Sequence, residues 1–274
     1  MISAILFVDF NKHNRDFSLS KAQSYAQQMQ LGYWRLVHQG IAFYPSKKLA
    51  DGQHRIAAVF LSGTTQAFTV FRNFSEDAME AIDTGKRRTA GDAFGITGLV
   101  PRQYSKVAGA IVDTVMKYES LRLHAKSISP SIYEQKDWAK AHLNELMAAL
   151  LITETLTKGD PVLTKAEAGS IVLAMLIGGY TREFVEGWVG DVLQGMGRYQ
   201  DSPAVDLFRQ YTKAKEGASP KGKLTREEKL ALAFKGALYF YNHAATGGVK
   251  WKKGKEPLPP PVPPARNAAR QAAE

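Results

Sequence analysis

Asp51-Gly52-Gln53-His54-Arg55 stands where a short extended stretch gives way to a helix, and its reading decides the fold of the first part of the chain. Ile41-Ala42-Phe43-Tyr44 and Lys48-Leu49-Ala50 precede it. Ile56-Ala57-Ala58-Val59-Phe60-Leu61 follows and is closed by Gly63. A helix start presents unpaired backbone N–H groups and a partial positive charge. Gly52 allows close approach to the backbone. His54 brings a donor that is neutral or charged, and Arg55 a fixed guanidinium fork. With Gln53 between them, these residues form a phosphate cradle without a Walker loop. Asp51 adds a carboxylate at its edge, able to take a proton or hold a metal ion.

Outward from this junction the pattern stays mixed. Residues 14–30 read as a helix, with Ser18-Leu19-Ser20 as its N-cap region and Ala22, Tyr25, Ala26 and Met29 as its apolar stripe. Leu31-Gly32 ends it. Trp34 to Phe43 is extended, Tyr44-Pro45-Ser46 turns, and a second short strand runs to Ala50. After the Gly52 helix, Gln66 to Phe71 alternates like a strand, and Ser75-Glu76-Asp77-Ala78 opens a helix to Ile82. The order α-β-β-α-β-α predicts an α+β unit over residues 1–98.

Beyond Gly98 the period changes. Segments 102–119, 131–150, 164–177, 181–195, 203–215 and 225–243 read as helices. Their apolar stripes include Val107, Ile111, Val115 and Tyr118, and Leu143, Leu146, Met147 and Leu150. A helical region over 99–248 follows, with a packing or DNA-binding role. Residues 249–274 are basic and then proline-rich, which predicts an extended, disordered tail.

The chain carries 36 Lys and Arg against 26 Asp and Glu, a net charge of +10. That balance favours a polyanionic partner, most often nucleic acid. Lys86, Arg87, Arg88, Lys250 and Lys252 are the candidate DNA-contacting residues. The absence of cysteine excludes disulfides, thiolate catalysis and cysteine-ligated zinc. The first residues lack the basic region of a secretory signal, and no apolar run approaches the ~18 residues of a membrane helix. The expectation is a soluble, cytoplasmic protein without a membrane partner.

Asn14-Arg15, Gly32-Tyr33-Trp34, Asp51-Gly52-Gln53-His54-Arg55 and Ile82-Asp83-Thr84-Gly85-Lys86-Arg87-Arg88-Thr89 keep the order of a known pattern. Over about residues 8–95 the chain resembles the ParB/sulfiredoxin superfamily, in particular its phage branch. The resemblance implies an ATP-dependent kinase that phosphorylates 5-hydroxymethyluracil within phage DNA, a step toward hypermodified thymines. It implies ATP and Mg²⁺ as cofactors and double-stranded DNA containing a modified pyrimidine as substrate, in the host cytoplasm if phage-encoded. Gly52, Gln53, His54 and Arg55 would bind the triphosphate, with Asn14 and Arg15 lining the same pocket. Asp51 and His54 would be catalytic, Asp51 as general base or metal ligand.

Two departures narrow the resemblance. Sulfiredoxin chemistry needs a cysteine, and this chain has none. The Glu-Asn-x-Gln-Arg element of partition proteins is also missing. The alternative expectation is a nucleotide-dependent, ParB-like DNA-binding protein without kinase activity.

Overall fold

The computed structural model describes residues 17–75, 89–124, 129–159, 161–217, 224–242 and 248–263. The chain divides into two compact units, Met1–Arg87 and Arg88–Glu274. The first is a small mixed sheet with helices. The second is helical.

In the first unit, α1 (Leu19–Gln30) packs against α2 (Gln53–Ser62). Ser18 caps α1, its hydroxyl accepting the Lys21 N–H. The predicted stripe faces inward, with Ala22, Ala26 and Met29 buried. Ala26, Met29 and Ala58 form the core, walled by Tyr25, Trp34, Val59 and Phe68. Trp34 meets Tyr25 and Phe68 edge-on at 5.7 and 5.6 Å, a favoured aromatic geometry.

The sheet has the order β2-β1-β3. Strand β1 (Ile41–Phe43) pairs antiparallel with β2 (Leu49–Asp51) and parallel with β3 (Val70–Phe71). The strands are shorter than the alternating sequence predicts. Residues 34–40 form no strand, and β3 takes in none of Gln66 to Thr69, although the Thr69 carbonyl accepts the Ile41 N–H at 2.9 Å. The helix expected after Ser75 lies outside the described residues.

The second unit contains α3 (Ala90–Thr97), α4 (Ser105–His124), α5 (Ile132–Ala141), α6 (Leu143–Leu156), α7 (Lys165–Ile177), α8 (Arg182–Gln194), α9 (Pro203–Lys215) and α10 (Arg226–Tyr241). Its centre is α7, buried continuously from Glu167 to Met175. A helix apolar on all sides is enclosed, and α7 packs on α4, α6, α8 and α10. Every predicted helix is present, but 131–150 is two helices. The break falls at His142 (φ −118°, ψ 33°), whose ring lies 4.5 Å from Trp138. No proline or glycine marks it in the sequence.

Helix α3 was not anticipated, and it belongs to the second unit, which therefore begins earlier than residue 99. A capping box starts it: Thr89 Oγ1 accepts the Asp92 N–H, and Asp92 accepts the Thr89 N–H. Gly91 and Gly109 let α3 and α4 cross in backbone contact; a Cβ on Gly91 would sit 2.8 Å from the Lys106 Cα.

The tail also departs from expectation. Residues 248–263 form no helix or strand but pack on the second unit. Val249 is fully buried. Its N–H donates to Asp206 Oδ2 at 2.6 Å, and its carbonyl accepts from Gln210 at 2.8 Å. Proline-rich sequence dictates the extended backbone; it does not dictate whether that backbone docks.

Candidate functional site

The Asp51 to Arg55 segment forms the predicted strand-to-helix junction. Asp51 ends β2, opposite Ala42 of β1. Gly52 is the N-cap of α2, with φ 109° and ψ 6°. A side chain here would meet both a left-handed backbone and Ile41, whose Cα would lie 3.2 Å from a Cβ. The glycine is thus required by packing on β1 as well as by its conformation. Glycine has no side chain with which to cap α2.

Arg55 binds the junction together. Its Nη1 donates to the Gly40 carbonyl at 2.9 Å and to Asp51 Oδ2 at 3.1 Å. The start of β1, the end of β2 and the first turn of α2 are joined through one nitrogen. Nε and Nη2 have no hydrogen-bond partner among the described residues, and neither has Asp51 Oδ1. The Arg55 side chain is 12% exposed and that of Asp51 29%. A restrained guanidinium, with donors to spare, therefore sits beside a more open carboxylate.

His54 and Gln53 are placed differently. Both are buried. His54 Nε2 accepts the Ser18 N–H at 3.0 Å, and its ring stacks on Phe17 at 5.2 Å with an interplanar angle of 9°. Accepting that bond requires a lone pair on Nε2, so in this arrangement Nε2 carries no proton. The ring ties the start of α1 to the start of α2. Sequence reading assigned His54 to phosphate and missed Ser18 and Phe17 as its partners; the adjacent N-cap signal at Ser18 was the only pointer. Gln53 is only 2% exposed, so its side chain is turned away from solvent.

Asn14, Arg15, Lys86, Arg87 and Arg88 lie outside the described residues. Lys250 and Lys252 are exposed on the second unit. Between them, Trp251 donates its indole N–H to the Pro257 carbonyl at 3.1 Å and packs on the core.

The metal expectation bears on Asp51 alone. Among the described residues no three His, Asp or Glu side chains converge. A single carboxylate with a free oxygen suits Mg²⁺ when substrate phosphates and water complete the shell. It does not suit a metal held by protein alone.

In the second unit, a cavity of about 440 Å³ is lined by Val162, Leu163, Glu167, Lys215, Leu224 and Lys229. Glu167 and Lys229 pair there at 2.7 Å, with side chains 10% and 13% exposed. Burial would raise the Glu167 carboxyl. The Lys229 ammonium and the Thr164 backbone N–H outweigh it and hold the group below its usual range.

No protein-family model, curated protein or solved structure matches this chain. No helix among the described residues is long and apolar enough to cross a membrane.

Proposed function

We propose that the first unit is a ParB/sulfiredoxin-like nucleotide-binding domain and that the protein is an ATP-dependent DNA kinase. Its substrate is the hydroxymethyl group of 5-hydroxymethyluracil in DNA. The observation that carries this reading is the junction at Gly52. A helix start at a left-handed glycine, the spare Nε and Nη2 donors of Arg55, and the open Oδ1 of Asp51 lie within five residues. The ordered motifs around it support the same reading.

A nucleotide bound here would supply the transferable phosphoryl group, and Mg²⁺ held beside Asp51 would neutralise charge on its phosphates. The start of α2 presents the positive end of its dipole to anionic oxygens. Arg55 adds a fixed charge. Asp51 Oδ1 takes the proton of the substrate hydroxyl or holds the metal. Phosphoryl transfer has a loose transition state, so positioning matters more than base strength. The hydroxyl oxygen gains the new P–O bond as the bond to the leaving diphosphate breaks. The exposed Lys250 and Lys252, with the basic balance of the chain, suit a duplex partner.

One observation favours a second reading. Asp51 already has an ion-pair partner in Arg55, which suits a structural carboxylate in a nucleotide-dependent DNA-binding protein without phosphoryl transfer. The test is incubation with γ-labelled ATP and DNA containing either thymine or 5-hydroxymethyluracil. The kinase reading expects label only in the second DNA. ATP binding with no label in either DNA would favour the binding protein.

A further inference from the structure

The second unit holds a feature that the nucleotide site does not use. Pro257-Leu258-Pro259-Pro260-Pro261-Val262-Pro263 lies across helices α4, α7 and α10 as a ligand lies on a receptor. Tyr118 of α4 donates its hydroxyl to the Pro259 carbonyl at 2.7 Å. Tyr180, just after α7, donates to the Val262 carbonyl at 3.0 Å. Pro261 is buried while Pro257, Pro260 and Val262 remain exposed, so the segment rests on the surface and inserts one residue. The receiving slot is Gly178, where a Cβ would fall on the Pro261 carbonyl oxygen. Leu258 packs on the core. Phe184 stacks on Tyr180 at 5.0 Å and Tyr241 meets it edge-on at 6.0 Å, forming an aromatic wall. Lys235 and Glu256 pair at 2.6 Å where the segment begins.

The chemistry is selective. A proline has no N–H and offers only its carbonyl. A surface that recognises consecutive prolines must therefore supply donors and flat apolar walls, and a proline-rich chain loses little entropy on docking. Both hydroxyls are committed donors. Burial pushes Tyr118 well above the ordinary phenol range, and burial with the neighbouring Tyr241 pushes Tyr180 up to about 12.

From this geometry we infer that the groove around Tyr118, Gly178 and Tyr180 is a receptor for proline-rich peptides, filled in the resting chain by its own residues 257–263. The ligand class is an extended segment of the Leu-Pro-Pro-Pro-Val-Pro kind, with carbonyls facing the two tyrosines and a proline entering at Gly178. The tethered segment competes at an effective concentration in the millimolar range. A ligand in trans must displace it.

The test uses the full chain and a fluorescein-labelled peptide spanning Lys255 to Pro264, read by anisotropy. Pro261→Asp places a charge in the buried slot and frees the groove without altering it. That variant should bind the peptide saturably and at least about tenfold more tightly than the unaltered chain, whose own segment competes. Gly178→Val added to Pro261→Asp should abolish binding, and a peptide with alanine at the three central prolines should bind far more weakly. A Pro261→Asp chain that melts cooperatively with intact helical circular dichroism, yet leaves the peptide free at about 1 mM, would overturn the inference. So would binding undiminished by Gly178→Val or by the alanine peptide. Failure of Pro261→Asp to fold would make the segment an obligate part of the core and would overturn it equally.

Discussion

The two units begin their helices in opposite ways. In the second, Thr89, Ser131, Thr164 and Thr225 each cap a helix in a reciprocal box with Asp92, Glu134, Glu167 and Glu228. Its helices without a side-chain cap have another solution. Pro203 starts α9 with no N–H to satisfy, and α6 continues from α5 across the bend at His142. In the first unit, α1 is capped by Ser18, but α2 starts at a left-handed glycine, which has no side chain to cap it. A helix built only to pack has its first donors closed by its own residues. A helix that starts at glycine without a side-chain cap, beside an arginine with unused nitrogens, suits the anion-binding role proposed above.

The sharpest way to break this contrast is Asp51→Asn. In the kinase reading it removes the proton acceptor or metal ligand, and transfer to 5-hydroxymethyluracil DNA should fall by about 10²–10⁴-fold. ATP affinity should stay within about tenfold, ~1.4 kcal/mol, because the helix N–H groups are untouched. Single-turnover label transfer and calorimetry read the two effects separately. Undiminished transfer would leave Asp51 as a purely structural partner of Arg55.

Lys229→Met asks whether the helical unit has a private stability. Removing one partner of a buried pair leaves Glu167 charged and unpaired, which costs about 3–5 kcal/mol. The sign of its pH dependence follows from Glu167. Its folded-state pKa lies below the unfolded value, so the pair contributes above the ordinary carboxylate range and that contribution is lost as pH falls through the lowered value. The destabilisation by Lys229→Met should therefore be greatest at neutral pH and shrink in acid, where Glu167 is protonated. Scanning calorimetry at two pH values checks it. A penalty that is constant with pH would mean that Lys229 acts through packing alone.

Arg55→Ala tests the other side. It removes a charge-assisted contact worth ~1.5–3 kcal/mol, so ATP affinity should drop about ten- to hundredfold. Arg55→Lys should recover little, because one ammonium cannot serve Gly40, Asp51 and a phosphate from a fixed fork. Titration calorimetry of both variants decides. Unchanged affinity in each would place the nucleotide away from α2.

Much of this was legible in the chain itself. The period of Ile111, Val115 and Tyr118 marked α4, and the junction at Gly52 was readable because glycine, a short strand and an apolar run coincide. What stayed hidden depends on tertiary partners. The short α3 carries two glycines, and its place is set by their contact with α4. The His142 bend leaves no breaker residue in the sequence. His54 looked like a phosphate ligand because its residue type fits one, whereas the contact to the Ser18 N–H links residues 36 positions apart. The proline-rich tail was expected to hang free because its composition cannot build a core. Composition gives no sign that Tyr118 and Tyr180 receive it.

The smallest effect sharpens the contrast between helix starts most directly. Thr89→Ala removes the cap of α3 and should cost about 1 kcal/mol, since the Asp92 N–H loses its acceptor at an exposed position where water replaces it. Thr164→Ala should cost more. Thr164 holds Glu167, which in turn pairs with Lys229 at 2.7 Å, so the cap and the ion pair share one carboxylate. Contacts that share a group do not add independently. A double-mutant cycle between Thr164→Ala and Lys229→Met should therefore show coupling of about 0.5 kcal/mol or more, while the cycle between Thr89→Ala and Lys229→Met should show none. No coupling in either cycle would mean that the caps act only on their own helices, and the capping box at Thr164 would then be as local as the one at Thr89.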